Sequence, residues 1–217
     1  MFWRAGDSAC RGKHRTHSEV LSGYLPRMGR QDHPVIVEVG LGLTSAVLAD
    51  YARQHGGHYY GCDLNTALID ELRKTIGEDE CVKFLVGKSD ESIPRIVSGN
   101  RQVDLVFLDG APSAAITFQE FRILEDTFLP GSILVIDNAA VPDAPGPLRS
   151  PCRKGKIVVP YLLASSFWEV IGHPADGDSM IAAIKHAEGT FADIAYEDVD
   201  GTVTHDVDLG WRGRVPK

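Results

Sequence analysis

The stretch Val35-Ile-Val-Glu-Val39-Gly40-Leu-Gly42-Leu-Thr-Ser45 sets the reading of the whole chain. Its first five residues are a β-branched run of strand length, and it stops abruptly at a glycine turn. Thr44 to Gln54 follows, with Ala46, Val47, Leu48, Ala49 and Tyr51 at helical spacing. Strand, glycine turn and helix in that order predict the first unit of a parallel α/β sheet.

The alternation continues downstream. His58–Cys62 reads as a strand, Ala67–Ile76 as a helix, Val82–Val86 as a strand and Ser89–Val97 as a short helix. Asp104–Leu108 is a fourth strand, Ile116–Phe128 a helix and Ser132–Ile136 a fifth strand. Continuous apolar strands separated by amphipathic helices need a sheet covered on both faces, with right-handed crossovers.

The pattern then changes. Phe167–Ile171 and Met180–Ile184 flank the turn-rich Pro174–Asp178, as in an antiparallel hairpin. Ala195–Val199 and Thr202–Val207 flank Asp200-Gly201, a second hairpin signal. Ser18 to Leu25 forms a helix stopped by Pro26, and the proline-rich, basic Val141–Lys156 reads as a long surface loop. The fold class expected is α/β: a Rossmann-like, doubly wound seven-stranded sheet, mostly parallel with an antiparallel C-terminal hairpin, plus a small extra C-terminal β-hairpin. The divisions are an N-terminal helical or lid segment (1–34), a central domain (35–188) and a hairpin tail (189–217).

Composition narrows the function. The 217 residues are 43% hydrophobic and 24% charged, enough for a real core, with a formal net charge of −8. That balance speaks against a general nucleic-acid binder. The longest run free of charge or histidine, Ile157–Trp168, is too short to span a membrane, so no membrane partner is expected. Four cysteines (Cys10, Cys62, Cys81 and Cys152) lack zinc-ligand spacing, and the eight histidines show no metal motif. A cytoplasmic protein with a small-molecule substrate is the expectation, with tail-strand edges available to pair in a homodimer.

Ligands of such sheets bind beyond the carboxyl ends of the strands, where strand order reverses. Here those ends carry Gly40-Leu-Gly42, Asp63, Gly87-Lys-Ser89-Asp90, Asp109 and Asp137-Asn138. A glycine turn lets a ligand approach the backbone. Asp63, 21 residues after Gly42, stands where an acid accepts from ribose hydroxyls. The dinucleotide fingerprint is incomplete, since Ser45 occupies its third glycine position. Glu38, two residues before the turn, suits a cationic ligand better than a pyrophosphate. Together these point to an adenosine-containing cofactor without phosphates.

These motifs, in this order over roughly Val35 to Pro160, resemble the class I S-adenosyl-L-methionine-dependent methyltransferases, and more narrowly the catechol O-methyltransferase group. The resemblance implies cofactor contacts at Glu38, Gly40, Gly42, Ser45, Asp63, Gly87, Ser89, Asp90 and Asp109. It also implies a Mg²⁺ site at Asp109, Asp137 and Asn138, hard oxygen donors suited to that ion. The implied activity is O-methylation of a small hydroxylated molecule. The family's catalytic lysine falls at Pro112, which cannot act as a base, and Gly110 and Ala111 replace its aromatic residues. Lys88, the Arg153-Lys154-Lys156 segment or a histidine remain as sources of a base. An adenosyl-cofactor-binding protein without catalysis and a nicotinamide-dependent oxidoreductase are the competing readings.

Overall fold

The computed structural model describes residues 3–5, 16–139, 153–175 and 178–190. One eight-stranded sheet runs through it, built from β1 (Trp3–Ala5), β2 (Val35–Val39), β3 (His58–Asp63), β4 (Val82–Val86), β5 (Leu105–Leu108), β6 (Ile133–Ile136), β7 (Trp168–Ala175) and β8 (Asp178–Lys185). Their order across the sheet is β1-β7-β8-β6-β5-β2-β3-β4. All neighbours pair in parallel except β8, which is antiparallel to both β6 and β7. The seven strands expected from the sequence are all present, and the two halves of the sheet diverge from β2 and β5.

β1 is an addition. It pairs with β7 from within the segment expected to be helical or a lid, matching Trp3 with Val170 and Ala5 with Gly172. The second C-terminal hairpin, around Asp200-Gly201, lies outside the described residues.

The helices are α1 (His17–Tyr24), α2 (Thr44–Gln54), α3 (Thr66–Thr75), α4 (Ser89–Gly99), α5 (Ala114–Leu124) and α6 (Gly155–Ala164). α1 opens with a capping box. Thr16 Oγ1 accepts from the Glu19 N–H at 3.2 Å, and Glu19 Oε2 accepts from the Thr16 N–H at 2.8 Å. α6 starts at Gly155, in the last two residues of the expected Val141–Lys156 loop, and is a helix the sequence pattern does not signal. Its almost wholly apolar sequence gives no helical polar–apolar pattern to read, yet Val158, Val159, Tyr161 and Leu162 are all buried.

The strand alternation divides the core between the two faces. Val35, Val37, Val39, Val106, Leu108 and Leu134 pack with Phe121, Tyr161 and Trp168 on one side. Ile36, Leu105, Phe107 and Ile133 pack with Tyr24, Leu48 and Ala52 on the other. Full burial of β2, β5 and β6 explains their unbroken apolar sequences. No helix of the described residues is long and apolar enough to cross a membrane.

Candidate active site

The carboxyl ends of β2 and β5 meet through two glycines. Gly40 has φ +84°, and a Cβ placed on it would lie 2.3 Å from the Gly110 nitrogen. The Val39 carbonyl accepts from both the Asp109 and Gly110 N–H groups at 2.7 Å. Only a residue without a side chain fits this approach, and the resulting notch opens between the diverging halves of the sheet.

Asp63 braces the notch from β3. One carboxylate oxygen accepts from the Leu41 N–H at 2.9 Å, and the other accepts from the Asn65 N–H at 2.7 Å. The cap of α3 is Asn65, which accepts from the Leu68 N–H at 3.2 Å, so Asp63 is left to face the notch. Its oxygens keep lone pairs for further donors.

Glu38 and Ser45 lie beneath the turn. The Glu38 carboxyl is completely buried and accepts from the Thr44 and Tyr59 hydroxyls. Burial dominates its chemistry and pushes its pKa up to about 7, against the opposing pull of those hydrogen bonds. Ser45 Oγ accepts from the Gly42 N–H at 3.1 Å and holds the turn closed.

A cavity of about 320 Å³ opens above Gly40. Of the cofactor contacts the resemblance implies, Gly40, Asp63, Gly87, Ser89 and Asp90 line it, while Glu38, Gly42, Ser45 and Asp109 stand outside its lining; Lys88, Gly110, Ala111 and Pro112 line it as well. Gly87, with φ +145°, donates to the Asp63 carbonyl at 3.0 Å and ties the ends of β3 and β4 together. Ser89 is the first residue of α4, after Lys88 at the N-cap position, which lacks a side-chain capping bond. Leu64, 68% exposed, and Ile116, 37% exposed, provide apolar walls at the opening.

Beyond the cavity, four polar side chains meet at the ends of β5 and β6. Lys154 Nζ donates to Asp109 Oδ1 at 2.6 Å and also to the Asp109 carbonyl. His17 Nε2, from the start of α1, bonds Asp137 Oδ1 at 2.9 Å. Burial raises the pKa of Asp137, the Asp109 carboxylate raises it further, and His17 opposes both. Asn138 follows in a left-handed conformation, φ +51°. Among the described residues no cluster of three His, Cys, Asp or Glu side chains is arranged to hold a metal. The Asp109 and Asp137 carboxylates lie close enough to repel one another, and each is paired, Asp109 with Lys154 and Asp137 with His17.

Sequence reasoning missed two participants. His17 is the first residue of α1, where the Thr16 cap fixes its place, and no local sequence pattern links it to Asp137. Glu120 lines the cavity from α5, and its side chain is buried. Its signal was present: Thr117, Glu120, Phe121 and Leu124 form the buried stripe of α5, so an acid stands where an apolar residue belongs.

Residues 37–139 match a family model described as a methyltransferase domain. Solved structures share the fold. An O-methyltransferase from Bacillus cereus in complex with S-adenosylhomocysteine has 17% identity and a TM-score of 0.56, over 82% of this chain and 93% of that one. A Klebsiella pneumoniae protein assigned as an O-methyltransferase has 16% identity and a TM-score of 0.61, over 85% and 84%. A Podospora anserina methyltransferase bound to S-adenosylhomocysteine has 17% identity and a TM-score of 0.51, over 70% and 71%. The β-sheet order and the glycine notch agree with the match of residues 37–139 to the methyltransferase-domain model, and the chain shares the fold of these methyltransferase structures.

Proposed function

We propose that this methyltransferase transfers the methyl group of S-adenosyl-L-methionine to an oxygen of a small hydroxylated molecule held beside Asp109 and Asp137. The observation that carries the reading is the polar cluster of Asp109, Lys154, Asp137 and His17 beyond the cavity. The O-methyltransferases among the structures of the same fold support it.

In this reading Asp63 accepts from the ribose hydroxyls, while Gly87, Ser89 and Asp90 surround the adenine. Gly40 and Gly42 admit the methionine portion against the backbone. Glu38 and Ser45 act from below, fixing the turn and placing a carboxyl near the cationic cofactor. The acceptor oxygen forms a bond to the methyl carbon as the carbon–sulfur bond breaks. The electron pair goes to sulfur, and the acceptor's hydroxyl proton leaves to solvent. Such a displacement depends on alignment and on stabilising the acceptor's negative charge.

In this reading Lys154 supplies that stabilisation. Pro112 occupies the position where the family resemblance expects a lysine, and Lys154 brings an ammonium to the adjoining Asp109 from the start of α6. Asp109, Asp137 and Asn138 are the residues that would hold Mg²⁺. When bound, the ion would favour the ionised acceptor hydroxyl. The wider reading is of a cytoplasmic enzyme that forms a homodimer.

A cofactor-binding protein without catalysis is the second reading, favoured by Pro112. Incubation with S-adenosyl-L-methionine and a panel of catechols, phenols and small alcohols, with S-adenosylhomocysteine quantified by mass spectrometry, separates the two. The expected result is acceptor-dependent product, with Lys154→Ala lowering kcat on the order of 10²-fold or more. Parallel reactions with Mg²⁺ or EDTA test the ion: equal rates would remove it from the reaction. Cofactor binding without turnover on any acceptor would favour the non-catalytic reading.

A further inference from the structure

Glu120 is a buried carboxyl without a partner. The side chain is 1% exposed, and among the described residues neither oxygen has a hydrogen-bond partner. The Ser89 hydroxyl faces it without completing a bond, and Lys154 acts on it from further off. Leaving such a group unsatisfied costs stability, and a leucine at this point of the α5 stripe would avoid the cost. The penalty is understandable if a ligand completes the site, because Glu120 lines the cavity together with Gly87, Ser89 and Asp90.

We propose that Glu120 reads the amino edge of the adenine, its carboxyl group accepting from the N6 amino group and donating to N1. This rests on the binding of an adenosyl cofactor in the cavity. The donating role requires the carboxyl to keep its proton, and its surroundings favour that: burial raises its pKa, Asp90 adds to the rise, and Ser89 and Lys154 oppose it. A neutral carboxyl offers one donor and one acceptor side by side, the complement of adenine's N1 and N6. A glutamine offers the same pair, whereas a leucine offers neither.

Calorimetric titration tests this with S-adenosyl-L-homocysteine and two analogues, one lacking the N6 amino group and one with carbon in place of N1. The native protein should bind each analogue roughly 10- to 100-fold more weakly than the adenine compound. Glu120→Gln should keep that selectivity. Glu120→Leu should bind the adenine compound more weakly and treat all three within about threefold, while its melting temperature without ligand rises. The melting temperature shows whether the variant is folded, and the native protein's own selectivity stands as a test without any substitution. If native protein binds the adenine compound but does not discriminate, or if Glu120→Leu keeps full selectivity, the role of Glu120 is overturned alone. If the native protein binds none of the three, the cofactor reading falls and takes this role with it.

Discussion

Glu38 shows how one buried residue couples the site to stability. Its carboxyl is raised from 4.5 to about 7, chiefly by burial. The folded protein therefore holds a proton there that the unfolded chain releases near pH 4.5. The stability linked to this proton is fully present below pH 4.5 and is lost as pH rises through about 7. Glu38→Gln removes the titration. Relative to the native protein, the variant should gain up to about 3 kcal/mol between pH 4.5 and 8, read from urea unfolding at both pH values. A constant difference would mean that folding does not raise the Glu38 pKa. Residues of this kind differ in how far sequence exposes them. Asp63 follows directly from the strand-end position after a glycine turn. Lys154 looked like a solvated loop residue, because its burial depends on α6 folding back towards Asp109.

At the scale of elements, the junction of β2 with β5 positions the cavity. Gly40→Ala would drive a methyl into the Gly110 backbone at a positive φ. It should destabilise the fold by roughly 2–4 kcal/mol in denaturant unfolding and abolish cofactor binding. At the opposite end of the same strands, Arg30 makes a two-pronged contact with Asp104, whose carboxylate also accepts from the Val35 N–H at 2.7 Å. Asp104 is 1% exposed, so Arg30→Leu would strand a buried charge and should cost about 3 kcal/mol in the same experiment. An unchanged midpoint would show that Gln102 and the backbone satisfy Asp104 unaided. The β2–β6 strands were legible because burial on both faces demands unbroken apolar runs. β1 was not, since three residues pairing with a distant edge leave no periodic trace.

Across the whole molecule, the chain order of strands follows the doubly wound plan until β8 inserts between β6 and β7. The sequence signals a hairpin there, but not that its second strand enters the sheet first; register across non-local strands is absent from local pattern. The same limit applied to the site. Motifs at strand ends marked Gly40, Asp63 and Gly87, whereas His17 reaches Asp137 across 120 residues of chain through the packing of α1. The central claim, that these separated residues assemble an adenosyl-cofactor site, is tested most directly by titrating S-adenosyl-L-homocysteine into native protein and into Asp63→Ala at neutral pH. The account predicts saturable one-to-one binding by the native protein and its loss, with the fold retained, in the variant. No binding by folded native protein, or undiminished binding by Asp63→Ala, would contradict it.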